Sequence, residues 1–252
     1  MFNFTVAIFK AAQGRRLASI ECHDLMCKIG EVVVVGGVRR SAMISLSNLS
    51  DGRMRHAKSG NWYVTNPHRA LANNSVCYTD RPDMETFMRE WLALVESKSG
   101  ERGVFNRQAC KDLAVRSGRR DPNHEFGTNP CSEISLRPQE FCNLSEVVVR
   151  ATDDVHSIIN KVRVATIIGT IQSNYTKFPY LRKAWQNNCE EERLLGVSLT
   201  GIMDNPLMTL SNRGLEETLE TLKSVAIETN KEWSGLLGIP QSTAITCCKP
   251  SG

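Results

Sequence analysis

Apolar residues recur three and four positions apart in several segments, which is the spacing of one face of an α-helix. The clearest case runs from Met84 to Val95 and directly follows Asp83, a residue type that caps helix N-termini. Apolar spacing and composition predict further helices at 2–13, 20–29, 108–115, 155–173, 181–187 and 215–233.

Short apolar or alternating runs lie between these segments and predict strands at 42–46, 73–78, 104–105, 146–150, 194–201 and from 243 onward. The apolar run 32–35 is too short to decide between a helix end and a strand. Strands alternate with helices, and no repeat of about 20 to 50 residues is visible. We therefore predict a mostly parallel α/β fold, and no break in composition marks a second domain.

Polar residues dominate 47–82, a long excursion of the kind that tends to carry function. Its aromatic and histidine side chains are interpreted as packing or surface residues. A second polar loop is predicted at 119–130, and the segment from Cys131 to Cys142 is predicted to be rich in loops.

The composition is that of a folded globular chain, because 41% of the 252 residues are hydrophobic and 23% are charged. Disordered and collagen-like classes are excluded. The net charge of +4 is too mild to predict nucleic-acid binding, and no basic patch dominates. Apolar runs are too short for a membrane span and the first twenty residues lack a signal-peptide pattern, so we expect a cytoplasmic protein without a membrane partner. The nine cysteines are expected to be reduced thiols.

The most informative chemistry lies in segment 126–134, where Asn129, Cys131 and Glu133 alternate with Pro130 and Ser132. In an extended backbone these three side chains would project to one side. An amide, a thiol and a carboxylate together suit a reaction in which sulfur breaks a bond while the acid moves a proton. A turn with an incidental cysteine explains the same spacing.

The other cysteines leave several interpretations open. Cys142 follows Cys131 by eleven positions, and the pair could be a redox couple, half of a metal site, or neither. Zinc ribbons need closer pairs, and the adjacent Cys247 and Cys248 are poorly placed to chelate one ion. Cys22, His23 and Cys27 superficially suggest a metal, but a helical setting more often buries such thiols. No metal site is predicted.

Four motifs together resemble one known family. They are NPCSE at 129–133, CNL at 142–144, GGVRRSA at 36–42 and KPSG at 249–252, and their order and spacing resemble the catalytic subunit of ribonucleotide reductase. The short interval from Cys131 to Cys142, the CHDL segment at 22–25 and the form of the GGVRRSA motif resemble the adenosylcobalamin-dependent branch, class II. The motifs are specific together and weak singly.

This resemblance implies a fold and a set of catalytic roles. Residues 1–252 would be part of a ten-stranded α/β barrel domain with a central finger loop at about 126–145. Cys131, at the tip of that loop, would become a thiyl radical that removes the 3′ hydrogen of the ribose. Glu133 would take the proton of the 3′ hydroxyl, and Asn129 would hydrogen-bond the sugar. Cys142 would be one of two thiols that deliver reducing equivalents, and we do not find its usual partner on an early strand.

The resemblance also implies nucleotide-binding loops. Gly36, Gly37, Arg39 and Arg40 would lie in the effector-linked specificity loop, within a region spanning about 1–50. Without the resemblance, arginines beside glycines are interpreted as a solvated turn. A phosphate loop would begin at residue 249, with Ser251, Gly252 and Leu144 contacting substrate.

We expect a fragment of a reductase, incomplete at both ends, arising from a split gene or an intein. Its implied partners are a ribonucleotide substrate, a deoxynucleotide effector, the remaining reductase segments and a thioredoxin-type reductant, with adenosylcobalamin as cofactor. Two other functions stay open: a catalytically silent nucleotide-binding or assembly fragment, and a thiol–disulfide oxidoreductase that uses Cys131 and Cys142. The latter would be expected to carry a closely spaced cysteine pair, which the sequence lacks.

Overall fold

A computed structural model describes residues 1–33, 41–209 and 211–250. Contacts divide the chain into two compact units, Met1–Cys110 and Lys111–Gly252. No described helix is long and apolar enough to span a membrane.

The first unit is built on a parallel three-stranded sheet in the order β1-β2-β3. Its elements in chain order are α1 (Phe2–Ala11), α2 (Ser19–Val32), β1 (Met43–Ser47), α3 (Gly52–Arg55), α4 (Trp62–Thr65), β2 (Ala72–Tyr78), α5 (Met84–Ser97), β3 (Gly103–Asn106) and the start of α6 (Arg107–Ser117). The β2 strand is the central one, and six of its seven residues are buried, as expected for a parallel strand covered on both faces.

Buried charge in the first unit is neutralised locally. The Glu90 carboxylate on α5 accepts hydrogen bonds from Arg102 at 2.7 and 3.0 Å and from Arg55. Arg102 also donates to the Ser47 hydroxyl at the end of β1, at 2.7 Å. A buried carboxylate needs such partners, so this cluster ties α5 to the sheet.

The second unit contains a two-stranded hairpin and a parallel pair of strands. Its elements are β4 (Gly127–Thr128), β5 (Ser135–Leu136), β6 (Asn143–Val148), α7 (Val155–Gln172), α8 (Lys183–Glu192), β7 (Leu195–Thr200) and α9 (Leu215–Leu237). The β4 and β5 strands pair antiparallel, whereas β6 and β7 run parallel. Segment 244–247 lies along the other edge of β7, with the Cys247 N–H donating to the Val197 carbonyl at 3.0 Å.

The core of the second unit lies on one face of the β6–β7 pair, against α7 and α9. Val147, Leu195 and Val197 point into this core and are at most 5% exposed. Because side chains alternate along a strand, Leu144 and Gly196 point to the opposite face. That face is the one the hairpin approaches.

The mostly parallel α/β prediction is confirmed, and most predicted elements are present within a few residues. The excursion at 47–82 contains two one-turn helices, α3 and α4, that lack any apolar periodicity. The strand predicted at 146–150 begins earlier, at Asn143, and the loop-rich segment after Cys131 contains β5. The ten-stranded barrel and its extent over 1–252 stay predictions.

One glycine is required by a close backbone approach. Gly201 follows β7 with φ of +69°, and a Cβ there would overlap the carbonyl oxygen of Val149. Gly201→Ala is expected to lower the free energy of unfolding by about 3 kcal/mol, because it combines left-handed strain with a backbone clash. Urea unfolding of the second unit measures this.

The matched control is Gly238, which has φ of +65° but no atom within 4 Å of an added Cβ. Gly238→Ala is expected to cost only the conformational strain, about 1–2 kcal/mol. Equal losses in the two variants would show that the Val149 contact does not matter.

Candidate active site

The segment that carries Cys131 is a tight hairpin turn. The Ser132 N–H donates to the Asn129 carbonyl at 3.0 Å, and Ser132 has a φ of +65°. Cys131 therefore lies at the exposed tip between β4 and β5. The expected extended backbone through 129–133 is wrong, because a turn closes at Pro130 and Cys131. Alternation from Asn129 to Glu133 thus gives no information on where these side chains point.

Asn129 supports the turn with its own side chain. Its Oδ1 accepts hydrogen bonds from the Ile134 N–H at 3.1 Å and from the Thr128 hydroxyl at 3.5 Å. The amide oxygen is thus used inside the hairpin, and the amide NH₂ is the group suited to donate to a ligand.

Glu133 holds an unsatisfied acceptor next to the turn. Its Oε2 is buried and has no hydrogen-bond partner among the described residues. A buried polar atom without a partner is costly, and such atoms in native proteins commonly mark a ligand-binding or catalytic role. A hydroxyl donor bound here would satisfy it.

Two thiols share the surroundings of Glu133. Burial, followed by the negative charge of Glu133, raises the pKa of Cys142 to about 11. Burial and the same carboxylate, together with Cys142, raise the pKa of Cys247 to about 11. Both sulfurs are therefore protonated at neutral pH, which suits hydrogen donors more than nucleophiles.

Gly196 on β7 makes room for this arrangement. A Cβ at Gly196 would lie 2.5 Å from Leu144 Cδ2, 2.9 Å from Ile134 Cδ1 and 3.1 Å from Cys247 Sγ. Side chains from the hairpin, from β6 and from segment 244–247 therefore meet beside Gly196. Leu144, which the resemblance predicts to contact substrate, is one of these side chains.

Sequence reasoning missed Cys247, which it considered only as a metal ligand. The parallel pairing of 244–247 with β7 brings this thiol beside Gly196. The only sequence signal was its position two residues before Lys249, where the resemblance to ribonucleotide reductase predicts the start of a phosphate loop.

A buried ionic cluster lies at the base of the hairpin. Arg120 donates to Glu192 at 2.6 Å and to Glu140 at 3.0 Å, and both carboxylates are at most 3% exposed. The Glu140 carboxylate also accepts from the Arg137 N–H at 3.0 Å. Burial and the adjacent Glu192 raise the pKa of Glu140, while Arg120 holds the pKa of Glu192 below its ordinary value against the effect of burial.

These opposite shifts predict how stability depends on pH. Glu140 binds its proton more tightly in the folded chain, so its contribution to stability is lost as pH rises above the ordinary value of 4.5. Glu192 contributes above that value and loses its contribution as pH falls. Glu140→Gln, which mimics the protonated acid, is expected to remove the loss of stability between mildly acidic and alkaline pH.

Hydrogen exchange of the β7 amides at several pH values measures this, because those amides report unfolding of the second unit. Glu191→Gln is the matched control, since Glu191 pairs with Arg137 but is 68% exposed. An unchanged pH dependence in Glu140→Gln would contradict the assignment.

Several predicted residues lie outside the described part of the chain. They are Gly36, Gly37, Arg39, Arg40, Ser251 and Gly252. Within the described part, no three His, Cys, Asp or Glu side chains are grouped so that they could hold a metal ion. Cys27 is buried and Cys22 exposed, and His23 hydrogen-bonds Asn74 at 2.9 Å.

The chain is thus an α/β protein with a cysteine at a hairpin tip and two protonated thiols beside a buried carboxylate. A crystal structure of a B-12 dependent (class II) ribonucleotide reductase has this fold. It superimposes with a TM-score of 0.73 at 22% identity, covering 98% of this chain and 37% of that one.

Two curated relatives, both named adenosylcobalamin-dependent ribonucleoside-triphosphate reductase, match almost the whole chain. The Levilactobacillus brevis protein is 29% identical over 97% of the chain, and the Lactobacillus leichmannii protein is 28% identical over 95%. The chain spans 35% of the length of each relative. No family profile matches. The resemblance predicted from the four motifs is confirmed by this similarity to a section of class II reductases.

Proposed function

We propose that this chain supplies the catalytic center for reduction of ribonucleotides to 2′-deoxyribonucleotides by a thiyl-radical mechanism. The names of the relatives favour ribonucleoside triphosphates as substrates. The observation that carries the proposal is the unpartnered, buried Oε2 of Glu133, two residues from an exposed thiol and beside two protonated ones.

Each residue has a definite part in this reaction. Cys131, as a sulfur radical, takes the hydrogen atom from the 3′ carbon. Glu133 accepts the proton of the 3′ hydroxyl through the oxygen that lacks a partner, and the amide NH₂ of Asn129 donates to a sugar oxygen. The 2′ hydroxyl then leaves as water, and Cys131 returns the hydrogen atom to the 3′ carbon.

The electrons for this step come from thiols. Two thiols give two electrons and two protons as they become a disulfide, which balances loss of the 2′ oxygen as water. Cys142 fits as one of them, because its raised pKa keeps it protonated and it lies beside Glu133. A thioredoxin-type reductant would restore the dithiol.

We propose adenosylcobalamin as the cofactor, as in the names of the relatives. When bound, it would supply the oxidising radical equivalent. Cys131 fits such a delivery, because its thiol is exposed at the hairpin tip and can be reached from outside this chain. The other proposed partners are a deoxynucleotide effector and the remaining reductase segments.

The proposal is tested by assaying ribonucleotide reduction with the chain joined to the segments that complete the length of its relatives. Activity is expected only with adenosylcobalamin, and iron with oxygen is expected not to replace it. Nucleotide binding without reduction would favour the silent assembly fragment. Thiol–disulfide exchange in the absence of nucleotide would favour the oxidoreductase, which the raised pKa of Cys142 argues against.

A further inference from the structure

Arg120 lies in a polar loop, yet its side chain is only 6% exposed. An arginine at this depth needs partners for its charge and its five N–H donors. Those partners are Phe126 just before β4, Ser135 on β5, and two glutamates that precede β6 and β7.

On the hairpin side, Arg120 contacts β5 and the residue just before β4. Its Nη1 donates to the Ser135 carbonyl on β5 at 2.7 Å. Its guanidinium carbon lies 4.6 Å from the ring centroid of Phe126, the fully buried residue just before β4. The stacking and the hydrogen bond together connect the start of β4 to β5 through Arg120.

On the sheet side, Arg120 is held by the side chains of two glutamates. Its Nε and Nη2 donate to Glu192, the last residue of α8, at 3.0 and 2.6 Å. Its Nη2 also donates to Glu140, two residues before Cys142. The Glu192 carbonyl accepts from the Thr243 N–H at 3.0 Å, at the start of the segment that leads to Cys247.

The connection from Arg120 to the reactive turn is short and hydrogen-bonded. Above Ser135, the Ile134 carbonyl accepts from the Thr128 hydroxyl at 2.9 Å, and the Ile134 N–H donates to Asn129 Oδ1 at 3.1 Å. A shift of β5 at Ser135 would therefore be transmitted to the turn that holds Cys131.

We infer that Arg120 is a positioning residue: it holds the hairpin carrying Cys131 and Glu133 in register with β6, which Cys142 directly precedes, and with β7, which carries Gly196. This role rests on the proposed function, because it assumes that the hairpin must be placed against those thiols. Arg120 itself touches no reacting atom.

The test is hydrogen–deuterium exchange of the 252-residue chain, comparing the hairpin at 126–136 with β7 at 195–200. Arg120→Gln removes the charge-assisted hydrogen bonds, and exchange in the hairpin is expected to accelerate by about tenfold or more while β7 changes little. Arg120→Lys keeps the positive charge but loses the planar set of guanidinium N–H donors, so an intermediate acceleration is expected. The lysine variant also provides the comparison if the glutamine variant does not fold.

Arg193→Gln is the matched control. Arg193 is also buried in the second unit, and its Nη1 donates to the Ser173 carbonyl, directly after α7, at 2.8 Å. Its loss is expected to leave hairpin exchange unchanged relative to β7. Equal acceleration of hairpin and β7 in the Arg120 variants, or no acceleration in either, would overturn the inference.

A kinetic measurement separates this inference from the proposed function. In the reductase assay, Arg120→Lys is expected to lower kcat while leaving KM for the nucleotide unchanged, because a displaced hairpin affects the reacting geometry more than binding. A KM increase with unchanged kcat would contradict the role. Absence of reduction by the unsubstituted chain, joined to the segments that complete the length of its relatives, would overturn the proposed function, and the exchange result would still decide whether Arg120 holds the hairpin.

Discussion

Replacing Cys131 by serine is expected to abolish ribonucleotide reduction, with a loss of at least about 10³-fold, the scale seen when a central catalytic group is removed. An alcohol holds its hydrogen atom far more strongly than a thiol does, so serine cannot take over the radical role. Nucleotide binding and folding are expected to be unchanged, because Cys131 is exposed at a turn. Turnover and nucleotide affinity are measured on the same preparation.

Cys22→Ser is the matched control for this experiment. Cys22 is also exposed but lies on α2 in the first unit. Its replacement is expected to leave turnover unchanged. Reduction that persists in Cys131→Ser, or is lost equally in Cys22→Ser, would contradict the special role of the hairpin thiol.

Replacing Cys142 by serine is expected to separate two steps of the reaction. The 3′ hydrogen would still be removed, because Cys131 and Glu133 remain in place. Multiple turnover would fall by about 10³-fold or more, since serine cannot form the disulfide that supplies two electrons. Loss of a labelled 3′ hydrogen to solvent, by exchange from the Cys131 thiol, and steady-state product formation measure the two steps separately.

A neighbouring thiol supplies the control for Cys142. Cys189 is buried, whereas Cys142 is half-buried, and the Cys189 sulfur accepts a hydrogen bond from the Phe141 N–H at 3.4 Å. Cys189→Ser is expected to keep multiple turnover, because its thiol has no assigned redox part. A Cys142→Ser variant that turns over at the unsubstituted rate would disprove the redox role of Cys142.

The sequence predicted those elements whose formation depends on local patterns. Helix α5 is marked by the cap at Asp83 and by apolar spacing, and the structure shows the Asp83 carboxylate accepting from the Thr86 N–H at 2.9 Å. Helices α3 and α4 have no such pattern, because one helical turn is too short to show a period. Helix α3 is held by a long-range contact, because Arg55 at its end donates to Glu90 on α5.

The candidate site was predictable in part. Motif spacing identified Cys131, Glu133 and Cys142, but alternation failed at Pro130, where a hydrogen-bonded turn replaces the extended chain. Cys247 and Arg120 reach the site region through parallel pairing with β7 and through ion pairs 20 and 72 residues distant in sequence. Such long-range contacts leave no local pattern in a single sequence.

The central claim is that the sulfur of Cys131 removes the hydrogen atom from the 3′ carbon of a bound ribonucleotide. The most direct measurement compares reduction of a 3′-deuterated ribonucleotide with that of the unlabelled one, in the unsubstituted protein and in Cys131→Ser. We expect slower reduction of the deuterated nucleotide and no 3′ cleavage in the serine variant. Equal rates for both nucleotides in single-turnover experiments, or 3′ cleavage that persists without the Cys131 sulfur, would contradict the account.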